Sequence, residues 1–181
     1  RSLVSLAISF AIIFGLILPL IMQGFSPLLV TLAGALLIIP GTFYLSHGWH
    51  PKTHAAVIGT LIALTLSGLL AVGFVDSAHL TGFADESAGF LSIETQDAID
   101  IRGLLLAGII ISLLGTLDDI TVSQASFVQQ LKEANPKISF RELFARAMRV
   151  GQDHISSLVN TLILVYTGAS FPLLLLFLDS Q

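Results

Sequence analysis

Apolar segments of about 20 residues recur along this chain, and each is long enough to cross the hydrocarbon core of a bilayer as a helix. A soluble protein would need many polar residues to cover such segments, but the 181-residue chain is 54% hydrophobic and only 11% charged. A typical soluble domain has about 25% charged residues. The sequence therefore predicts an all-α, polytopic transmembrane helical bundle rather than a soluble globular domain.

The predicted architecture is a single transmembrane domain over residues 1–181 with six membrane spans. The spans lie at about 3–22, 28–45, 55–74, 103–128, 155–168 and 171–181, and the last is incomplete. Pro27 and Pro51 stand at the start of the second and third spans, where proline is tolerated. Because the chain begins with Arg1 and ends inside a short apolar run, we expect it to be a piece of a longer protein.

The distribution of charge predicts an orientation in the membrane. The connection from Asp76 to Asp100, between the third and fourth spans, holds six acidic residues and no Lys or Arg: Asp76, Asp85, Glu86, Glu94, Asp97 and Asp100. Residues 132–149 instead hold five basic residues. Lys and Arg concentrate in cytoplasmic loops, so we expect the acidic connection outside and the basic segment inside. The same orientation places Arg1 and Lys52 on the cytoplasmic side.

The basic segment also predicts an amphipathic helix over residues 139–150. Ser139 and Glu142 form a capping box directly after the helix-breaking pair Asn135 and Pro136. Apolar residues then recur at helical spacing, with charged residues on another side. This pattern is typical of a helix that lies along the inner membrane surface. The alternative is a helix packed on the cytoplasmic loops; either way it links the fourth and fifth spans.

Two adjacent carboxylates, Asp118 and Asp119, lie close to the middle of the fourth apolar run. A carboxylate in hydrocarbon costs a few kcal/mol, faces the protein interior and by default marks a functional site. Two neighbouring carboxylates in a low dielectric do not both ionise easily, which suits a proton relay. We predict that Asp119 is the main proton carrier and Asp118 its coupled partner. The alternative is a structural pair that fixes the register of the helices.

Small and polar residues are expected to support this pair. At about 100° per residue, a polar stripe surrounds Asp119 on the fourth span, and a second stripe follows the fifth span. Such residues let membrane helices approach and form hydrogen bonds, so we expect the faces of Asp119 and Asn160 to meet. Asp153 is equally compatible with a position at the surface. The hydroxyl residues are also compatible with a role in helix packing alone. The supporting residues are Ser112, Thr116, Ser123, Ser126, Asp153, Ser157 and Asn160, with Ser156 at the margin.

Three histidines, His47, His50 and His54, form the other cluster of chemical interest. Imidazoles bind zinc or copper, but Pro51 interrupts the helix, and Trp49 and Lys52 favour an interfacial belt. We therefore predict no metal site. The sequence has no phosphate-binding loop, metalloprotease motif or nucleophile elbow, so we also predict no catalytic residues, no enzymatic activity, no cofactor and no nucleic-acid partner.

Several stretches resemble the YibE/F family of bacterial membrane proteins. The strings are GLLLAGIIISLLGTLDDITVSQASFVQQL and NPKISFRELFARAMRVGQDHISSLVNTLILVYTGASFPLLLL in the second half of the chain. LPLIMQGFSPLLV and SHGWHPKTHAAVIGTL in the first half are similar to the family too. The resemblance covers nearly the whole chain and implies a multi-pass protein of the bacterial cytoplasmic membrane. It implies no biochemical activity.

A shorter resemblance suggests a mechanism. A helix with Gly-x-x-Asp-Asp, a basic amphipathic linker and a helix with small polar residues are similar to two spans of resistance-nodulation-division proteins. In that superfamily, aspartates within the membrane take part in proton-driven transport, and the resemblance would assign this role to Asp118 and Asp119. Residues 28–74 supply two spans that do not align with that scheme.

The hypothesis from sequence is a proton-coupled transporter or translocation component. Its expected partners are the lipid bilayer, protons or a small solute, and a membrane protein. The first alternative is a non-transporting scaffold or partner subunit with a structural aspartate pair. A second alternative, an intramembrane enzyme, would require another reactive group close to the pair.

Overall fold

A computed structural model describes residues 2–84, 86–96 and 98–179 of the chain. These residues are helical, with short connections. The helices are α1 (Ser2–Ile12), a π-helical turn (Ile13–Ile17), α2 (Leu18–Met22), α3 (Pro27–His47), α4 (Pro51–Ser77), α5 (Glu86–Glu94), α6 (Ile101–Ala134), α7 (Phe140–Ala169) and α8 (Phe171–Asp179). The all-α prediction is confirmed. Arg1, Asp85 and Asp97, which contribute to the predicted orientation, lie outside the described residues.

Four helical segments in the described part of the chain are long and apolar enough to cross a membrane. They are Leu3–Met22, Pro27–His47, Pro51–Ser77 and Ile101–Ala134. A fifth arises if α7 and α8, which meet at an angle of 67°, together form one broken span. The first four agree with the predicted spans within a few residues, except that α6 continues to Ala134. Prolines begin α3 and α4 as predicted, because a missing N–H is tolerated in the first turn of a helix.

The chain divides into two compact units, and the first comprises residues 1–126. Its core is built from apolar side chains of α1 to α4, the first half of α6 and the π-helical turn. The most completely enclosed members include Ile17, Ala35, Ile39, Phe43 and Ile110. This core brings α3 and α4 against the first half of α6, and the two aspartates follow directly after that half.

The surface of this unit differs from that of a soluble protein, because large apolar side chains are exposed while several hydroxyl groups are buried. Thr60 is fully buried and its hydroxyl lies 2.6 Å from that of Thr121, whereas Leu3 and Phe74 are 80% and 71% exposed. Hydrocarbon tolerates exposed leucine and phenylalanine, while a hydroxyl is better placed between helices, where it can find a hydrogen-bond partner. The unit therefore has the surface of a protein whose solvent is lipid.

A wider helical turn interrupts the first span just before Pro19. The N–H of Leu18 donates to the carbonyl of Ile13, five residues earlier. In a regular α-helix, the proline ring collides with the carbonyl four residues before it, and the π-helical turn relieves this crowding. The turn also directs Ile17 onto the bare backbone of Gly34 in α3, where a methyl group would overlap the Ile17 side chain.

The connection between the third and fourth spans contains the short helix α5, which the sequence analysis did not predict. At the end of this connection, Arg102 of α6 forms an ion pair with Asp76 of α4, and both side chains are about half exposed. This pair marks the end of the bundle that the charge distribution predicts to be extracytoplasmic.

The second unit comprises residues 127–181. Its Ser139 accepts a hydrogen bond from the Glu142 N–H at 3.3 Å, as the capping box predicts, and the Glu142 carboxylate accepts one from Arg146 at 2.6 Å. The sequence analysis separated an amphipathic helix over 139–150 from a span over 155–168. The structure instead has one continuous helix, α7, because a change in polarity does not interrupt backbone hydrogen bonding in the absence of a helix breaker.

Candidate functional site

The position of the aspartate pair follows from the contacts of α6. Arg102 lies level with Asp76 at one end of α4, and Ala125 and Ser126 lie level with Thr53 at the other. At about 1.5 Å per residue, Asp118 is then about 24 Å from Arg102 and about 12 Å from Ser126. The pair therefore lies in the half of the bundle nearer the connection between α3 and α4, rather than at its centre.

The two aspartates face different surroundings. Asp118 is half-buried, whereas Asp119 is exposed. Asp118 continues the buried stripe formed by Leu106, Ile110 and Leu114, since these residues recur every four positions. Because Asp119 is rotated by about 100° from that stripe, the structure places Asp118, not Asp119, toward the packed side of α6.

His47, the last residue of α3, interacts electrostatically with Asp118. Asp119 is the other charged group that acts on Asp118, and its effect is opposite in sign, since two carboxylates repel. The sequence analysis assigned His47 to an interfacial belt and the aspartates to the membrane interior. The fold brings His47 and Asp118 to the same region of the bundle. His47, at the end of α3, lies level with Val122, which is one helical turn after Asp118 in α6.

One turn beyond Asp118, α6 is attached to α4 by a pair of hydroxyls. Thr60 Oγ1 and Thr121 Oγ1 are 2.6 Å apart, and the Thr121 hydroxyl also lies 2.8 Å from the carbonyl of Leu117. This contact holds the rotation of α6 that turns Asp118 inward.

A small cavity lies between α3, α4 and α6 near the connection between α3 and α4. Its lining includes His47, Lys52, Thr53 and Ser126, with Phe43 and Val122 on its apolar side. The cavity volume is about 10 Å3, close to the minimum of about 10–15 Å3 that one water molecule needs. His47 is exposed and Thr53 is 2% exposed, so the cavity extends from the surface into the core.

Thr53 lines this cavity with a buried hydroxyl group that needs a hydrogen-bond partner. Within the described part of the chain, its buried Oγ1 has no hydrogen-bond partner. A buried hydroxyl without a partner costs about 1–3 kcal/mol, so such groups usually bind an ordered water molecule.

The predicted supporting residues of α6 divide into two groups. Ser126 lines the cavity, and the half-buried Thr116 donates to the carbonyl of Ser112 within its own helix at 3.3 Å. Ser112, Gly115, Asp119 and Ser123 are exposed and form one polar strip along α6. Asp119 was expected at the centre of a buried polar stripe, but in the first unit this strip is exposed.

The predicted stripe of α7 belongs to the second unit. Asp153, Ser156, Ser157 and Asn160 are all exposed, and the Ser156 hydroxyl donates to the carbonyl of Gln152 at 2.8 Å. The meeting of the Asp119 and Asn160 faces stays a prediction.

The histidine cluster belongs to an aromatic arrangement at the α3–α4 connection. The Tyr44 hydroxyl lies 2.7 Å from Nδ1 of His54, and the Tyr44 ring stacks on Trp49 at 4.4 Å between centroids. Trp49 is 75% exposed, as expected for an interfacial residue. Across the residues that the structure describes, no group of three His, Cys, Asp or Glu side chains could hold a metal ion.

Sequence reasoning missed Thr53, Thr60 and Lys52 as members of the site. A signal was present, because Thr53 and Thr60 are seven residues apart and therefore share one face of a helix. Thr121 lies three residues from Asp118, which places it on the neighbouring part of the α6 surface.

Four long apolar helices and an apolar outer surface indicate a membrane protein. Comparison with protein families makes the assignment more specific: the YibE/F-like protein family matches residues 1–181, the whole chain. The protein therefore belongs to the YibE/F-like family. Comparison with curated proteins and with solved structures gives no match.

Proposed function

We propose that this protein is a proton-coupled transporter, or a proton-coupled component of a translocation system, in the bacterial cytoplasmic membrane. Asp118 carries the proton, and Asp119 is its coupled partner. The observation that supports this assignment is the position of Asp118: it is half-buried on the packed side of a long apolar helix, beside a second carboxylate and within electrostatic range of the histidine that ends α3. The proposal involves no covalent chemistry and no cofactor.

The roles of the two aspartates are the reverse of those expected from sequence. A proton carrier must exchange its charge without losing its place in the protein, so a group on the packed side of the helix is better suited. Asp119 is exposed on the polar strip of α6, where its charge acts on Asp118 and tunes the energy of the second ionisation.

The test is an infrared titration of the carboxyl groups in lipid, with wild type, Asp118→Asn and Asp119→Asn. We expect a carboxyl band that changes with pH and is absent in Asp118→Asn. Loss of the band should coincide with loss of proton uptake driven by a solute gradient in proteoliposomes. Transport that persists after both carboxyls are removed would overturn the proposal.

A specific observation favours a second function. The exposed strip of Ser112, Gly115, Asp119 and Ser123 is unsuited to lipid, because a polar group in hydrocarbon needs a partner. A membrane scaffold or partner subunit would use this strip to bind another helix. In that case, the two carboxyls would keep a constant charge throughout the titration, and Asp119→Asn would alter assembly rather than proton binding.

A further inference from the structure

An apolar groove with a volume of about 350 Å3 lies between α3 and α4 in the first unit. Its floor is Ile110 of α6, which lies close to α4 because Gly68 has no side chain; a Cβ on Gly68 would meet Ile110 Cδ1 at 3.2 Å. Leu36 and Leu69 are exposed, so the groove opens at the surface of the unit. Its walls are apolar residues of α3 and α4: Leu28, Leu32, Leu36, Leu61, Leu64, Leu69 and Val72.

Thr65 is the single residue with a polar side chain among the described residues that line the groove. Its hydroxyl donates to the carbonyl of Leu61 at 2.8 Å, within the same helix. A polar solute would lose its hydration in the groove without a side-chain hydrogen bond in return, which is unfavourable. A hydrocarbon chain has no such requirement, so the lining favours a chain over a polar solute.

The length of the groove matches one leaflet of a bilayer. At about 1.5 Å per residue, the groove extends about 12 Å along α3, from Leu28 to Leu36, and about 16 Å along α4, from Leu61 to Val72. One leaflet contributes about 15 Å, half of the hydrocarbon core of a bilayer. A single lipid chain therefore has the length to fill the groove from end to end.

An ion pair stands at one end of the groove. Asp76 follows Val72 by one helical turn on the same face of α4, and it pairs with Arg102 of α6. The register of the two helices agrees with this position, because eight residues separate Asp76 from Gly68 and eight separate Arg102 from Ile110. The pair thus lies about 6 Å beyond Val72, where the chain of a lipid filling the groove would meet its headgroup.

This ion pair has hydrogen-bonding capacity for a further partner. Both side chains are about half exposed. A guanidinium has five N–H donors and a carboxylate has about four acceptor sites, so their mutual contact leaves other groups free to bind. Arg102 therefore offers donors to a phosphate, and Asp76 beside it offers acceptors to an ammonium group.

We propose that the groove binds one acyl chain of a phospholipid whose zwitterionic headgroup carries a primary ammonium, with the phosphate at Arg102 and the ammonium at Asp76. The paired charges of the headgroup are complementary to those of the ion pair, and the chain is complementary to the leucine walls. The site goes beyond the proposed function and does not depend on it, because Asp118 takes no part.

The first experiment tests the groove. Wild type and variants are reconstituted in nanodiscs that contain phosphatidylethanolamine, and native mass spectrometry counts the lipids that stay bound after release into mild detergent. We expect wild type to retain one phosphatidylethanolamine molecule. Leu69→Trp places a larger side chain at the groove and should abolish this retention. Leu70→Trp is the matched control, since Leu70 is the next residue and equally exposed but does not line the groove.

The second experiment tests the headgroup. Phosphatidylcholine has the same two charges, but its quaternary ammonium cannot donate a hydrogen bond, so wild type should retain it less than phosphatidylethanolamine. Arg102→Gln and Asp76→Asn should each lower retention of phosphatidylethanolamine by about tenfold, the usual effect of one lost hydrogen bond to a charged group. Arg141→Gln removes an exposed positive charge of α7 and should have no effect.

Three outcomes would overturn the inference. Equal retention in Leu69→Trp and Leu70→Trp would show that the groove is not the site. Equal retention of both lipids, unchanged in Arg102→Gln, would contradict the headgroup assignment. Conversion of a dimer to a monomer by Leu69→Trp, without a change in bound lipid, would show that a second copy of the chain occupies the groove. None of these readouts involves protonation of Asp118, so the inference and the proposed function fail separately.

Discussion

Thr60 of α4 and Thr121 of α6 join their hydroxyl groups at 2.6 Å, three residues along α6 from Asp118. Thr60 is completely buried. The other contacts between these two helices are mainly apolar, and apolar contacts do not fix the rotation of one helix against the other. The hydroxyl pair is directional and therefore does. It links the packing of the bundle to the direction in which Asp118 points.

Removal of this hydroxyl pair should weaken the bundle and loosen the site. We expect Thr60→Val to lower the free energy of unfolding by about 0.5–1.5 kcal/mol, the usual net value of one hydrogen bond in a membrane helix pair. A double-mutant cycle with Thr121→Val, measured by unfolding in detergent, should show coupling between the two changes. Thr65→Val is the control, since the Thr65 hydroxyl donates to Leu61 within its own helix. Strictly additive effects would contradict the role assigned to the pair.

The different surroundings of Asp118 and Asp119 predict unequal effects of their amide variants. Asp118→Asn should remove the titrating carboxyl band and the coupling to His47, whereas Asp119→Asn should shift the titration without abolishing it, since only a neighbouring charge is lost. Infrared titration in nanodiscs measures both. The roles are reversed if Asp119→Asn, and not Asp118→Asn, removes the band.

The close contact between Ile17 and Gly34 predicts that this glycine is required for packing. Gly34→Val should destabilise the protein by about 1–3 kcal/mol, the usual cost of an overpacked core, because the buried Ile17 side chain would have to shift within the core. Gly41 lies on the same helix and has no neighbouring atom within 4 Å of an added Cβ. Gly41→Val should therefore have little effect in the same thermal unfolding experiment, and an equal effect of both changes would argue against the contact.

The ion pair between Asp76 and Arg102 should contribute little to stability despite its position at the end of two spans. Both side chains are about half exposed, and exposed ion pairs contribute about 0–1 kcal/mol. Arg102→Gln should lower the unfolding free energy by no more than this, with a smaller difference at high salt. A loss well above 1 kcal/mol that persists at high salt would show that the pair is shielded from solvent.

The spans of the first unit were predictable because the length of each apolar run sets where its helix begins and ends. A run of about 20 apolar residues must form a helix in lipid, and proline placed at its start restricts where it begins. The break between α7 and α8 has a local cause too, since Pro172 cannot donate to the preceding turn. The continuity of α7 was missed because the change in polarity near residue 150 was interpreted as a helix boundary, although it alters the surroundings of a helix and not its backbone.

The orientation of α6 was harder to predict. In a soluble helix, the apolar face identifies the core, but in a membrane helix both the packed face and the lipid face are apolar. The polar strip around Asp119 was therefore predicted to be the face that points into the protein. The buried stripe through Ile110, Leu114 and Asp118 was equally visible in the spacing, and nothing in one helix alone decides between the two.

By itself, the sequence determined the class of the protein, the extent of its first four spans, the capped start of α7 and the presence of two carboxylates where lipid disfavours them. Only the tertiary structure decided that Asp118 faces the bundle, that His47 lies within electrostatic range of it, and that Thr53 lines a cavity with His47 and Ser126. The physical reason is range: apolar length and helix caps are local properties, whereas the neighbour of a side chain depends on the rotation and depth of helices that are distant in the chain.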